Sequence, residues 1–511
     1  MGLPLDYFRR GKKIMILGLM LTVILLPFAG GMLLQIIKFK NKRNKECYIF
    51  LYVLVNTLLT YVLLSHGPTE LIRVINFAGA KLDFSLKIDG MSMVFAGLVS
   101  TLWPLATLYS FPYMEHEHNG RVHENIFYMF YTATYGVTLG VAMSGNMLTM
   151  YCFYELLTLV TVPLVMHTLT REAVHASRKY FYYSLGGAAF AFIGLIFLVV
   201  YGNSLAFTYG GVLNVSQTDD KKNLLLFIYV LAFMGFGVKA AVCPFNAWLP
   251  QAGVAPTPVT ALLHAVAVVK SGAFAIMRLT YYSFGTDFLR GTWAQYLLLC
   301  VVIFTIVYGC SMAVKETHMK RRLAFSTISN LSYILFGVLI MTPLGLVGAL
   351  CHMVFHGVMK ICSFFCAGAM ITQAHVNYVY ETDGLAKKMP KIFAIFTISS
   401  FALMGVPGLC GFVSKWHLAK AAFASGNILI IVGVGGLLIS ALLTAIYMLS
   451  VVIRAYFPGN DFNDEKLQDN IHDPDWRMVF PLFLFVVAMV VIGVYSAPLV
   501  KFFTSVAGGR I

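Results

Sequence analysis

Fourteen stretches of about twenty mostly apolar residues, each long enough to cross the ~30 Å hydrocarbon core of a bilayer as a helix, dominate this chain. They lie near 14–37, 47–65, 91–113, 125–143, 147–169, 180–201, 224–243, 257–283, 293–314, 323–341, 344–372, 392–423, 426–456 and 478–504. In lipid no water is available to backbone N–H and C=O groups, so only helices and closed barrels can span it, and barrels use runs of about ten alternating residues. The expectation is an all-α polytopic protein of about fourteen transmembrane helices, resident in the cell membrane with the lipid bilayer as its main partner. Composition agrees: 59% of residues are apolar and 12% charged, against roughly a quarter charged in soluble domains.

The net charge of +15 is spread over short runs between the spans: Arg9, Arg10, Lys12 and Lys13; Lys38 to Lys45; Lys320 to Arg322; Lys387 to Lys391. Runs in that position set membrane topology rather than bind nucleic acid, which needs basic residues gathered on one folded surface with aromatics between them. Odd-numbered loops hold most of the Lys and Arg, which predicts that they face the cytoplasm and that both termini lie outside; the basic N-terminus dissents. The first span, from Ile14 to Ile37, is too long for a signal-peptide core and is expected to remain as a helix. None of the nine cysteines forms a Cys-x-x-Cys pair, so they read as packing residues.

Between the second and third spans, Leu82 to Asp89 alternates apolar and polar residues, the period of a strand, and predicts a small extramembrane β element. Three spans are interrupted: Pro244 follows Lys239 in the seventh, Pro256 and Pro258 open the eighth, and Gly405, Pro407, Gly408 and Gly411 precede Lys415 in the twelfth. A proline breaks the helix ladder, and in lipid such a break persists only where protein or cavity water satisfies the freed groups. Broken helices in matching places of two halves point to a transporter's ion route. The step from Lys239 to Lys415 suits a repeat of helices four to eight in helices nine to thirteen.

Glu155, Lys239, Lys270, Lys360 and Lys415 all fall inside predicted spans, where a charge costs at least about 2.5–3.5 kcal/mol. Any one of them has a bland explanation, such as snorkelling from a helix end or a static Glu155–Lys239 pair. Five together, four of them lysines, favour function. Burial disfavours the ammonium form, which suits lysine to releasing and regaining protons. His352, His356 and Lys360 stand at i, i+4 and i+8, on one stripe of the eleventh helix, and read as a proton wire. Metal binding is the weaker reading, because lysine is a poor ligand and no carboxylate is near in sequence. His264 stands six residues before Lys270, off its face in a regular helix. The glycines of Gly235-Phe236-Gly237 lie in an apolar helix with no strand before them, so they read as helix packing rather than a dinucleotide loop. No Walker loop, zinc signature or nucleophile elbow appears, so neither a cofactor nor a metal is expected, nor a redox centre within the chain.

The segment from Phe233 to Arg278, FMGFGVKAAVCPFNAWLPQAGVAPTPVTALLHAVAVVKSGAFAIMR, closely resembles the core of the antiporter-like subunits shared by respiratory complex I (NADH-quinone oxidoreductase), Mrp-type cation/proton antiporters and membrane-bound nickel-iron hydrogenases. The likeness continues through KRRLAFSTISNLSYI from Lys320, HMVFHGVMK from His352, and GLAKKMP and GVPGLCGFVSK ending at Lys415, covering roughly residues 80–420. It implies two inverted five-helix repeats. The chain then divides into 1–113, three helices with the β element; 114–283, the first repeat; 284–456, the second; and 457–511, a C-terminal helix.

Carried over by position, Glu155 resembles the family's buried glutamate and Lys239 its partner on the broken seventh helix. Lys270 is similar to the central lysine of the eighth, His356 and Lys360 fall in the titratable stretch of the eleventh, and Lys415 looks like the terminal group of the broken twelfth. Lys179, in HASRKYFYYSL, and His264 are further candidates. Departures from the family pattern are Asn246 for His, Gln251 for an acidic residue and His318 for Asp, all at helix ends, where they bear on loop contacts and access more than on the axis. The resemblance implies an ion-translocating subunit, moving protons or sodium, of a redox-driven complex with other membrane subunits and peripheral redox subunits. The alternative it leaves open is an Mrp antiporter subunit with no redox partner.

Overall fold

The computed structural model describes residues 3–77, 82–117, 124–214, 219–459 and 470–509, with the side chains of residues 3–10, 117 and 219 left aside. Arg9 and Arg10 of the N-terminal basic run therefore lie outside the described side chains. Among the described residues, twelve helices are long and apolar enough to cross a membrane. These are α1 (Leu3–Ile36), α2 (Lys42–Ser65), α3 (Gly90–Glu117), α5 (Met147–Val165), α6 (Arg171–Tyr201), α7 (Lys222–Lys239), a broken α8 (α8a, Thr257–Ala265; α8b, Val268–Met277), α9 (Trp293–Lys315), α10 (Met319–Leu339), α11 (Pro343–Ala374), α13 (Ile428–Tyr456) and α14 (Trp476–Val494). The helix α4 (Glu124–Ala142) and two shorter pieces, α12a (Pro390–Met404) and α12b (Cys410–Ala424), stand where the fourth and twelfth spans were expected. A last helix, α15 (Ala497–Ala507), follows α14.

The alternating segment forms a strand: β2 (Asp83–Leu86) pairs antiparallel with β1 (Ile72–Asn76). The glycines of α7 pack the bundle, since a Cβ on Gly235 would come within 2.6 Å of the Gly187 carbonyl on α6. In lipid, where apolar side chains gain little from leaving the solvent, such close backbone approach is what holds helices together.

Two interruptions differ from the sequence expectation. The eighth span breaks at Val266 and Ala267, eight residues past the last proline, where Ala267 N–H reaches back to the Leu262 carbonyl at 2.8 Å and Arg278–Phe284 continues as a π-helix. The fourteenth span, expected unbroken over 478–504, stops at Val494 and restarts at Ala497. Pro498 has no N–H to offer the Val494 carbonyl four residues back and its ring would clash with it, so the helix ends at Val494, the chain turns at Tyr495, and Pro498 sits in the first turn of α15.

α11 is the axle of the second half. Its entry is fixed by Thr342, whose hydroxyl accepts from Gly345 N–H at 3.1 Å, and by Pro343 in the first turn, both favoured at helix starts. It packs against α8a, α10, α12a and α12b, and the stripe from His352 to Lys360 is wholly buried among them.

Candidate ion pathway

The first cluster forms where α7 stops. Lys239 is its last residue, and the chain then turns before a single helical turn, Trp248–Gln251. Trp248 locks this turn by donating to the Val238 carbonyl at 2.8 Å. The Lys239 ammonium lies over the Tyr154 ring, donates to the Tyr154 carbonyl and stands 3.6 Å from a Glu155 carboxylate oxygen. Lys239 is buried, whereas the Glu155 side chain is 25% exposed. Glu155 therefore opens on the outer wall of the bundle. α8b covers the end of α7 where Gly272 lets the backbones meet, since a Cβ there would come within 2.6 Å of Ala240 N. Among the described residues no hydrogen bond joins Lys239 to Lys270.

From Lys270 a connected string begins. Its Nζ lies 2.7 Å from His356 Nδ1, so the α8 break delivers the lysine to the stripe on α11. The His356 and His352 rings stack at 5.7 Å, and His352 Nδ1 lies 2.9 Å from the Ser414 hydroxyl of α12b. Tyr333 of α10 stacks on His352 at 5.1 Å and carries Lys415 over its ring at 5.5 Å. Lys415 sits just past the α12 break and donates to the Leu403 and Met404 carbonyls at 2.7 and 2.9 Å. These are end groups of α12a left without helical partners, so the lysine satisfies the break. Gly405 makes the turn with φ +92°. The Nε2 atoms of His352 and His356 have no protein partner, leaving each ring with one nitrogen free for a further proton donor or acceptor.

Lys360 stands two turns beyond His352 and donates to Ser326 of α10 at 2.7 Å. His264 on α8a is buried against the Phe364 ring with both nitrogens unpartnered, off the string. Lys179 is half-buried on α6, 6.0 Å from the Tyr183 ring, and the structure does not bring it to the other lysines. Asn246 sits buried by the α7 turn. Gln251 and His318 line an open cavity of about 1120 Å³ on the odd-loop face, with Arg171, Arg178, Lys320 and Arg321. Burial and the neighbouring Lys320 and Arg321 hold the His318 ring below the usual histidine range.

Sequence reasoning missed a buried ion pair at the other end of α8. Arg278 donates to both carboxylate oxygens of Asp89 at 2.6 and 2.7 Å and to Ser92 at 3.1 Å, with the Phe207, Tyr282 and Phe274 rings around it. The signal was present, because Arg278 falls within a predicted span and needs a counter-ion there as much as Lys270 does. Ser326 and Tyr447 were also missed, and nothing in a neutral hydroxyl marks it in sequence.

The family described as "NADH:quinone oxidoreductase/Mrp antiporter, TM" matches residues 144–444, and "NADH-Ubiquinone oxidoreductase (complex I), chain 5 N-terminus" matches 74–122. Among relatives, NAD(P)H-quinone oxidoreductase chain 4 2 of a Picosynechococcus strain is 27% identical over 95% of this chain and 91% of its own length. The chloroplastic chain 4 of Mesostigma viride is 26% identical over 94% of each. Two solved structures share the fold: a chain of an archaeal membrane-bound sulfane sulfur reductase (TM-score 0.80, 22% identity, covering 96% of this chain and 97% of that one) and a chain of the Mrp complex of a Dietzia species (TM-score 0.81, 20% identity, 97% of each). With more than half of its length matched, and the spans that carry Lys239, Lys270, Lys360 and Lys415 inside the match, the chain belongs to the NADH:quinone oxidoreductase/Mrp antiporter transmembrane family.

Proposed function

We propose that this chain is the proton-translocating membrane subunit of a redox-driven complex, working through the axis of Glu155, Lys239, Lys270, His356, His352 and Lys415, with Lys360 beside it. The observation that carries the reading is the Lys270–His356 contact of 2.7 Å continued by stacked imidazoles to Ser414 and Lys415, inside a bundle broken on both sides of it. A proton leaving Lys270 has His356 Nδ1 as immediate acceptor, and the opposite nitrogen of that ring, which has no protein partner, releases one to water. Like charges at close range oppose each other's ionisation, so charging one lysine discharges the next and a disturbance at either end travels the axis. Glu155, partly exposed at the bundle wall, is placed to receive such a disturbance from a neighbouring subunit. Protons suit these groups better than sodium, which as a hard cation needs several oxygen ligands where the axis offers ammonium and imidazole.

The names of the relatives, quinone oxidoreductase subunits, support a redox partner. The likeness to an Mrp chain keeps the antiporter alternative in play. Purifying the tagged protein from its native membrane and identifying its companions separates the two: electron-carrying peripheral subunits are expected, and companions restricted to small membrane proteins would favour the antiporter. Proton uptake by the reconstituted assembly is expected to persist when choline replaces sodium. Uptake that ceases in choline would make sodium the coupled ion.

A further inference from the structure

Lys360 faces a group of hydroxyls that the axis does not use. Its Nζ lies 2.7 Å from Ser326 Oγ on α10, the Tyr447 hydroxyl of α13 lies 2.6 Å from the same oxygen, and Thr444 Oγ1 lies 3.2 Å beyond Tyr447. Thr444 spends its own hydrogen on the Ser440 carbonyl at 2.7 Å, so toward Tyr447 it can only accept. All of these groups are buried. A serine hydroxyl offers one hydrogen and two lone pairs, and its hydrogen rotates to suit its neighbours. The row therefore has two complete bonding patterns on one set of heavy-atom positions. With Lys360 charged, the ammonium donates to Ser326, Ser326 to Tyr447, and Tyr447 to Thr444. With Lys360 neutral, Tyr447 donates to Ser326 and Ser326 to the amine lone pair. Between the two, Lys360 gives up one N–H proton to an acceptor outside the row, and within the row only the Ser326 and Tyr447 hydrogens turn.

We propose that Ser326 and Tyr447 are positioning residues that act as a reversible solvation shell of hydroxyls for Lys360, so that it gains and loses its proton without side chains having to move. The inference rests on the pathway reading and adds to it that the Tyr447 hydroxyl direction follows the charge on Lys360. The test uses the reconstituted assembly, with proton flux driven by an imposed membrane potential and infrared difference spectra recorded with ring-deuterated tyrosine. Tyr447→Phe and Ser326→Ala are each expected to lower flux about tenfold, the order expected for one hydrogen bond to a charged group. The double variant should fall no further than the worse single one, because the two act as a unit. Tyr229→Phe, which removes an equally buried hydroxyl bonded to Thr280, should leave flux unchanged. A tyrosine band is expected in the parent difference spectrum and should vanish both in Tyr447→Phe and in Lys360→Ala. Parental flux in Tyr447→Phe, or a tyrosine band that survives in Lys360→Ala, overturns the shell while leaving the pathway standing. Parental flux in Lys360→Ala removes its place in the pathway, and the shell with it.

Discussion

The buried charges fall into two kinds, and substitution distinguishes them. Arg278 and Asp89 satisfy one another completely at their facing ends and tie the start of α3 to the end of α8b. Removing one partner leaves the other buried and unpaired, at a cost of about 3–5 kcal/mol. Asp89→Ala should thus markedly lower the thermal midpoint of the purified protein, and adding Arg278→Met should restore much of the loss. If the double variant is as unstable as the single, the pair is not what holds the two helices. Glu155 belongs to the other kind: Lys239 keeps the Tyr154 carbonyl without it, so Glu155→Gln should leave the thermal midpoint within a degree or two of the parent while lowering proton flux at least tenfold. A variant that pumps normally would make the 3.6 Å contact merely architectural. The intramembrane lysines were legible in the sequence because a charge in lipid demands a reason. Tyr447 and Ser326 were not, because their relation to Lys360 exists only once α10, α11 and α13 are packed.

Helices supply the breaks that bring these groups together. The interruption of α12 was legible in its Gly-Pro-Gly composition. That of α8 was placed at Pro256 and Pro258, whereas the chain breaks at Val266 and Ala267. Tertiary packing, not a local breaker residue, decides it, and Ala-Val-Ala in a sequence gives no warning. At the α12 break Gly405 is left-handed, a geometry that costs a residue with a side chain about 1–2 kcal/mol. A Cβ there would also come within 2.9 Å of Lys415 Cδ. Gly405→Ala should accordingly lower the thermal midpoint by a few degrees and reduce flux by displacing Lys415 from the α12a carbonyls. Lowered stability with full flux would separate the turn from the pathway.

For the whole molecule, the predicted orientation puts the odd-loop face, with the cationic cavity of Arg171, Arg178, Lys320 and Arg321, in the cytoplasm. In a protein freed of its exposed Cys47, Cys152 and Cys300, a membrane-impermeant maleimide should label Thr317→Cys only from the cytoplasmic side and Asn203→Cys only from the other. Labelling of both from one side would break the topology; residues 215–218 of the loop from Asn203 to Lys222 lie outside those described. The all-α polytopic class was legible from apolar length alone, whereas the division into repeats was expected from the Lys239 to Lys415 step and from the resemblance, because packing partners leave little trace in composition. If the lysines and histidines form one working axis, Lys270 is its middle, joined to His356 at 2.7 Å. The most direct measurement is proton flux through the reconstituted Lys270→Ala assembly, with its subunit content verified against the parent. Flux at the level of protein-free vesicles is expected from a fully assembled complex; flux at the parental rate would overturn the axis.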